Sequence, residues 1–137
     1  MYKRQLKREI GDNHDIVLLD APPGTSCPVV ETIAGTDYLI LVTEPTPFGM
    51  YDLTLMVEMV RELNIPFGVI INKAGIGNRD VYGYLQKERI ELLGEVAFSK
   101  AYASEYANGN LFSEVPPEIQ EAYCGICRKI LRKTGMS

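Results

Sequence analysis

The amino-acid sequence predicts an α/β fold in three layers: a mostly parallel sheet of about four strands, flanked by helices. Three observations predict it. Short apolar runs alternate with longer amphipathic stretches along the chain. The first three runs are almost entirely Val, Ile, Leu or aromatic rather than apolar–polar alternations, as strands covered on both faces are. The amphipathic stretches, finally, open on residues that start helices well.

In chain order, Leu6 to Gly11 reads as the tail of a helix leading into a first strand over Asp15 to Leu19. Pro28 opens a short helix through Ile33 and Ala34, since proline's fixed φ and missing N–H suit a first turn. A second strand covers Tyr38 to Val42. Thr46-Pro47 supplies an N-cap and a proline at the first helical position. Leu53, Met56, Val57, Val60 and Leu63 then share one helical face, which ends near Asn64. The third strand spans Phe67 to Ile71, and Asn78 can cap a helix from about Arg79 to Ile90. A fourth strand, Glu95 to Phe98, precedes Ser99 as the cap of a helix from Lys100 to Ala107; Pro117 opens a last helix to about Lys133. Such alternation implies right-handed parallel crossovers.

The 137 residues show no internal repeat, linker or low-complexity tract and predict one α/β domain, 1–137. With 46% hydrophobic and 23% charged residues, the composition is that of a globular protein and not of a disordered one. The longest unbroken apolar run, Tyr38 to Val42, is far too short to span a bilayer, and basic Met1 to Glu9 has no secretory apolar region. Three cysteines, an odd number, do not form a disulfide framework and predict a reducing, cytoplasmic setting. Between residues 10 and 127, six Lys/Arg face 17 Asp/Glu, a balance of −11. So acidic a body repels a polyanion, and nucleic acid is not an expected partner.

Two segments carry chemistry. Ile16-Val-Leu-Leu-Asp20 delivers a carboxylate to the C-terminal end of a strand, where open α/β sheets bind ligands. In nucleotide-hydrolysing proteins that is the Walker B position, whose Asp holds magnesium, often through water. Pro22-Pro23-Gly24-Thr25 follows as a stiff turn with a flexible end, able to present the Gly24 amide to a terminal phosphate. The plain alternative is a strand-end Asp that caps a turn. The second segment, Ile70-Ile71-Asn72-Lys73, places an amide and a long aliphatic stem at another strand end. Asn72 can accept from and donate to a purine edge, and the stem of Lys73 can pack along the base while its ammonium stays wet. Alone, Asn-Lys is also an ordinary turn leaving a strand.

Asp20 to Val30 (Asp-Ala-Pro-Pro-Gly-Thr-Ser-Cys-Pro-Val-Val), Thr43 to Gly49 (Thr-Glu-Pro-Thr-Pro-Phe-Gly) and Ile71 to Gly75 (Ile-Asn-Lys-Ala-Gly), in that order, resemble the C-terminal half of the MinD/ParA/Mrp superfamily of P-loop ATPases. The nearest branch is the MinD-like one that carries an inserted ferredoxin domain, and the likeness runs from about Leu6 to Phe112. The resemblance implies a partial P-loop NTPase fold and a Mg-ATP cofactor. It gives Asp20 the magnesium, through water in the family's manner, makes Pro22 to Thr25 a switch loop, and sets Asn72 on adenine. Val96-Ala-Phe98-Ser99 resembles a second adenine-contacting loop, with Ala97 where the family has proline. The nucleotide-binding residues expected on this basis are Gly24, Thr25, Asn72, Lys73 and Phe98.

No Gly-x-x-x-x-Gly-Lys-[Ser/Thr] occurs in the sequence, and ferredoxin-type cysteine runs are absent. The chain therefore reads as a truncated fragment or partial gene product of an ATP-binding switch protein, expected not to hydrolyse ATP alone. The family sets its P-loop strand beside the Walker B strand, so its loss should leave an unpaired sheet edge or make the strands close up. Complete, such a protein is expected to act as a homodimer.

Cys27, in the switch loop, corresponds to a region where relatives of the nitrogenase iron protein ligate a [4Fe-4S] cluster between subunits. Cys124-Gly-Ile-Cys127 is half of a metal or cluster site, and the Mrp branch bridges a cluster through such a motif. Helical periodicity puts Ile119, Tyr123, Ile126, Cys127 and Ile130 on one face, with Cys127 in the core stripe and Cys124 off it. The cysteines otherwise read as ordinary small residues. His14 reads as a solvated loop residue. The basic end of the last helix, Arg128 to Lys133, suits the helix dipole better than a membrane anchor, so peripheral membrane contact is not expected. Besides the nucleotide switch, two alternatives stand: a non-catalytic interaction module, and a dimeric iron–sulfur carrier using Cys27, Cys124 and Cys127.

Overall fold

The structure is a computed structural model that describes residues 16–109 and 115–135. The described residues form α1 (Cys27–Ile33), β1 (Leu39–Thr43), α2 (Pro47–Glu62), β2 (Phe67–Ala74), α3 (Asp80–Lys87), β3 (Leu92–Ala97), α4 (Lys100–Ala107) and α5 (Pro117–Lys133). Two of the predicted caps are in place, at Thr46 and Ser99, whereas the helix behind Asn78 has Arg79 at its N-cap, with no bond from that side chain to the first turn. The Thr46 hydroxyl accepts from the Gly49 amide at 3.0 Å, that of Ser99 from Tyr102 at 3.2 Å, and the Asn78 carboxamide from Asp80 at 3.1 Å. The helix behind Asn78 is shorter than predicted, because Arg89 turns to φ +54° and ends it. The predicted helix tail over Leu6 to Gly11, and His14, lie outside the described residues.

The three strands run parallel in the order β1-β2-β3. Leu39 lies opposite Phe67 and Thr43 opposite Ile71, an unbroken register. Between β2 and β3 it shifts twice: Val69 faces Leu92 but Ile70 faces Gly94, and Ile71 faces Glu95 but Ala74 faces Ala97. The second shift places an extra residue in β2, at Asn72-Lys73.

Helices cover both faces, as predicted. On one face Val29 and Ile33 of α1, Leu53, Val57 and Val60 of α2, and Val81 and Leu85 of α3 pack with Leu41, Val69 and Ile71. On the other, Ile119 and Ile126 of α5 pack with Leu93 and Val96, and Tyr38, Ile40, Ile70 and Tyr102 join their margin. Ile126 fills the space that glycine leaves at Gly94, where an added Cβ would lie 2.5 Å from its Cγ1. The contact stripe on α5 is therefore narrow. Cys127, expected in that stripe, is exposed together with Cys124, because the next position round the helix from Ile126 turns away from the sheet.

The sheet has three strands among the described residues, where about four were predicted. Residues 16–20 run without a ladder partner, and Ile16, Val17, Leu18 and Leu19 are 56%, 47%, 83% and 37% exposed. Asp15, the first residue of that predicted strand, lies outside the described residues. Among the described residues no backbone is laddered to this segment, and an apolar run becomes a strand only where another backbone's N–H and C=O groups pair with it. Among the described residues β1 has β2 as its one hydrogen-bonded neighbour, and Val42 on β1 is 64% exposed.

Candidate functional site

All three strands end on one edge of the sheet, and their exit loops are fastened to one another. The extra residue in β2 sets Lys73 at φ +51°, a left-handed conformation uncommon for a side chain of this kind. It also takes the Lys73 amide out of the ladder, and the Asn72 side-chain oxygen accepts it at 2.9 Å. The Lys73 ammonium reaches back across the edge to the Glu44 carboxylate, at 2.6 Å. Next, the Pro45 carbonyl accepts from the Asn78 amide at 2.9 Å. Gly77, at φ +72°, sits so close that a Cβ there would come 1.8 Å from that same carbonyl oxygen. Thr43, buried at the end of β1, donates to the Gly49 carbonyl at 2.9 Å and ties the strand to the start of α2. The Phe98 amide donates to the Ala74 carbonyl at 3.0 Å, which brings in the loop after β3.

These contacts make the strand exits a single ledge, and strained backbone of this kind collects at functional sites. Of the nucleotide-binding residues expected from the sequence, Asn72, Lys73 and Phe98 stand together on it. Asp20, Gly24 and Thr25 stand on the exposed stretch that leads into α1. Gly24 is at φ +93° with open space around it. Among the described residues, no hydrogen bond or ion pair links Asp20, Gly24 or Thr25 to the ledge. Cys27 begins α1 and Cys124 and Cys127 lie on α5, on opposite faces of the sheet, so one chain does not bring the three thiols together. No group of three or more His, Cys, Asp or Glu suited to a metal occurs among the described residues.

Sequence reasoning missed Glu44 and the pair formed by Tyr82 and Glu95. The Tyr82 hydroxyl donates to the Glu95 carboxylate in a short bond, and the Arg79 guanidinium lies 4.6 Å over the Tyr82 ring. The bond to Glu95, then burial and the negative charge of Glu95, push the Tyr82 phenol above its ordinary range, against the pull of Arg79. Arg79 is thereby held beside the loop that carries Gly77 and Asn78. Thr46-Pro47 marked the start of a helix just after Glu44, but nothing local marked Glu44 as the partner of a lysine 29 positions later.

No protein-family profile matches the chain. It is 32% identical over 106 residues to an uncharacterized protein of Methanocaldococcus jannaschii, covering 77% of this chain and 36% of that one. An uncharacterized ATP-binding protein of the same organism is 33% identical over 86 residues, covering 62% and 31%. A Nubp1 homologue of Drosophila ananassae, a cytosolic Fe-S cluster assembly factor, is 27% identical over 155 residues, covering 93% and 49%. The chain thus spans about a third to a half of the length of these relatives. In fold it is similar to the cell division ATPase MinD of Pyrococcus furiosus, with a TM-score of 0.74 at 15% identity over 93% of this chain and 56% of that one. No helix among the described residues is long and apolar enough to cross a membrane. These likenesses, in sequence to an ATP-binding protein and a Nubp1 homologue and in fold to MinD, support the MinD/ParA/Mrp superfamily that the motifs resemble.

Proposed function

We propose that the chain is the base-binding half of a MinD-like ATP-dependent switch, and that it needs a P-loop unit to complete the phosphate site. The observation that carries this reading is the ledge, which sets Asn72, Lys73 and Phe98 together at the C-terminal edge of a parallel sheet, where such folds bind nucleotides. In this reading Asn72 meets the edge of the base, the stem of Lys73 lies along it, and the loop at Phe98 closes its far side. Asp20 would hold magnesium, through water, and Gly24 with Thr25 would sense the terminal phosphate.

The donors present fit one end of Mg-ATP. Asp20 is an exposed carboxylate with no hydrogen-bond partner among the described residues, as a magnesium ligand requires. The phosphate end is not matched. A triphosphate needs several amides and at least one lysine, and Lys73 is engaged by Glu44 while Arg79 rests on Tyr82. Bound, Mg-ATP would supply the scissile phosphoanhydride; this chain's part is to hold the base and one side of the metal. Hydrolysis is assigned to the protein only together with a P-loop, acting as a nucleotide-linked homodimer in the manner of its relatives.

Calorimetry with Mg-ATP tests the reading. The 137 residues alone are expected to show no micromolar binding, and the same chain joined to a P-loop strand–helix unit is expected to gain it. Micromolar affinity of the unaided chain would overturn the division of labour, and failure of the completed protein to bind would overturn the nucleotide reading.

One observation favours a second reading, in which a dimer carries an iron–sulfur cluster. Cys124 and Cys127 are both exposed, one turn apart on α5, so two copies could present four thiols. Anaerobic reconstitution with iron and sulfide is expected to give a brown product that loses its colour in Cys124→Ser; a colourless product from the unaltered chain would remove this reading.

A further inference from the structure

We propose that Glu44 is a positioning residue for Asn72: through its ion pair with Lys73 it fixes the bulge at the end of β2, so that the Asn72 side chain offers a ligand its amide nitrogen, a donor only. The inference rests on the base-binding reading above and adds to it which atom reads the ligand and what holds that atom.

The argument starts from the polarity of one hydrogen bond. A backbone amide can only donate, so the atom of Asn72 that meets the Lys73 amide at 2.9 Å must be its oxygen. The amide nitrogen of Asn72 is then the end that remains, and it makes no hydrogen bond among the described residues. A ligand edge placed there must bring an acceptor, here the ring nitrogen N7 of a purine. 7-Deazaadenosine lacks that acceptor and keeps the rest of adenosine.

This orientation depends on the left-handed turn at Lys73, since only there does the amide leave the ladder and point at its neighbour's carboxamide. The turn is intrinsically unfavourable for a residue with a side chain. Two contacts hold it. The Ile76 amide donates to the Lys73 carbonyl at 3.3 Å, and the Lys73 ammonium pairs with Glu44 at 2.6 Å. Glu44 is itself a firm anchor. It leads into Pro45, whose carbonyl is fixed by Asn78 and crowded by Gly77, and it follows Thr43, which is tied to Gly49. The ion pair is half exposed and so responds to salt.

The test uses the 137-residue chain, with adenosine and 7-deazaadenosine as probes, because a neutral nucleoside needs no P-loop and feels salt only through the protein. In Glu44→Ala, the two side-chain amide proton signals of Asn72 are expected to draw together toward the values of a solvated carboxamide. Adenosine binding, followed by the shift of the same signals, is expected to weaken three- to tenfold. The charge-exchanged double variant Glu44→Lys/Lys73→Glu is expected to restore the signals of Asn72, and 1 M salt to make the unaltered chain behave like Glu44→Ala. Unchanged Asn72 signals in Glu44→Ala overturn the proposal, and so does equal perturbation of Asn72 by 7-deazaadenosine and adenosine. If adenosine leaves the unaltered chain unperturbed, the base-binding reading falls, and the free-protein spectra of Glu44→Ala still judge the part played by Glu44.

Discussion

Joining a P-loop strand to the free edge of β1 is expected to raise the melting temperature of the chain by about 10 °C or more. The reason is apolar surface left in water. Ile16, Val17, Leu18, Leu19 and Val42 are on average more than half exposed. Burying the remainder of five such side chains contributes about 5 kcal/mol, from about 1.5–3 kcal/mol for each fully buried side chain. Ordering residues 16–20 costs about 5 kcal/mol, at about 1 kcal/mol each, the low end of the range for fixing a backbone. Hydrogen bonds along both edges of an inserted strand add about 4 kcal/mol, at about 0.5 kcal/mol for each of about eight. The net of about 4 kcal/mol corresponds to about 3 °C per kcal/mol for a domain of this size. Thermal melting of the chain with and without the appended unit measures the gain. Hydrogen exchange locates it: residues 16–20 and 39–43 should become protected together. Protection of 39–43 alone would mean that the new strand pairs with β1 without recruiting the carboxylate-bearing segment, and that Asp20 has no fixed place at the site.

The strands and helices that the structure shows were legible because each carries its own local signal. The caps at Thr46 and Ser99 needed only the chemistry of a side-chain oxygen next to unpaired amides, and that chemistry does not depend on the rest of the molecule. Ile16 to Leu19 has an equally strong strand signal and forms no strand among the described residues, because pairing is a property of two segments and cannot be read from one. Cys127 was misplaced for a related reason. Periodicity shows which residues share a helical face, but the width of the buried stripe depends on what lies beneath it, here mainly β3 with the hollow at Gly94. In the site, Asn72, Lys73 and Phe98 were found from residue type and strand-end position. The ties that make a ledge of them, from Glu44 to Lys73 and from Gly77 to Pro45, join loops about 30 residues apart in sequence and leave no periodic trace.

Gly77→Ala is expected to disrupt that ledge more than any other single methyl group added to it. Two costs arise. A left-handed φ of +72° disfavours alanine by about 1–2 kcal/mol. The new Cβ would also stand 1.8 Å from the Pro45 carbonyl oxygen, a backbone atom that cannot swing aside as a side chain does. The loops must part, and the bond from the Asn78 amide to that carbonyl is lost, at about 1–1.5 kcal/mol. Together these come to about 3 kcal/mol, or about 10 °C in melting temperature. Gly75→Ala separates the two costs, because Gly75 is also at positive φ, +95°, but has nothing within 4 Å of its added Cβ. It should pay the conformational cost alone and melt only about 3–6 °C low. If the two variants melt alike, the close seat of Gly77 on Pro45 constrains nothing. If Gly77→Ala melts lower and its Asn72 amide signals also move while those of Gly75→Ala stay, the contact between the first two exit loops governs the geometry of Asn72, the residue that meets the edge of the base. The ledge is then one mechanical unit, whose parts cannot be altered singly.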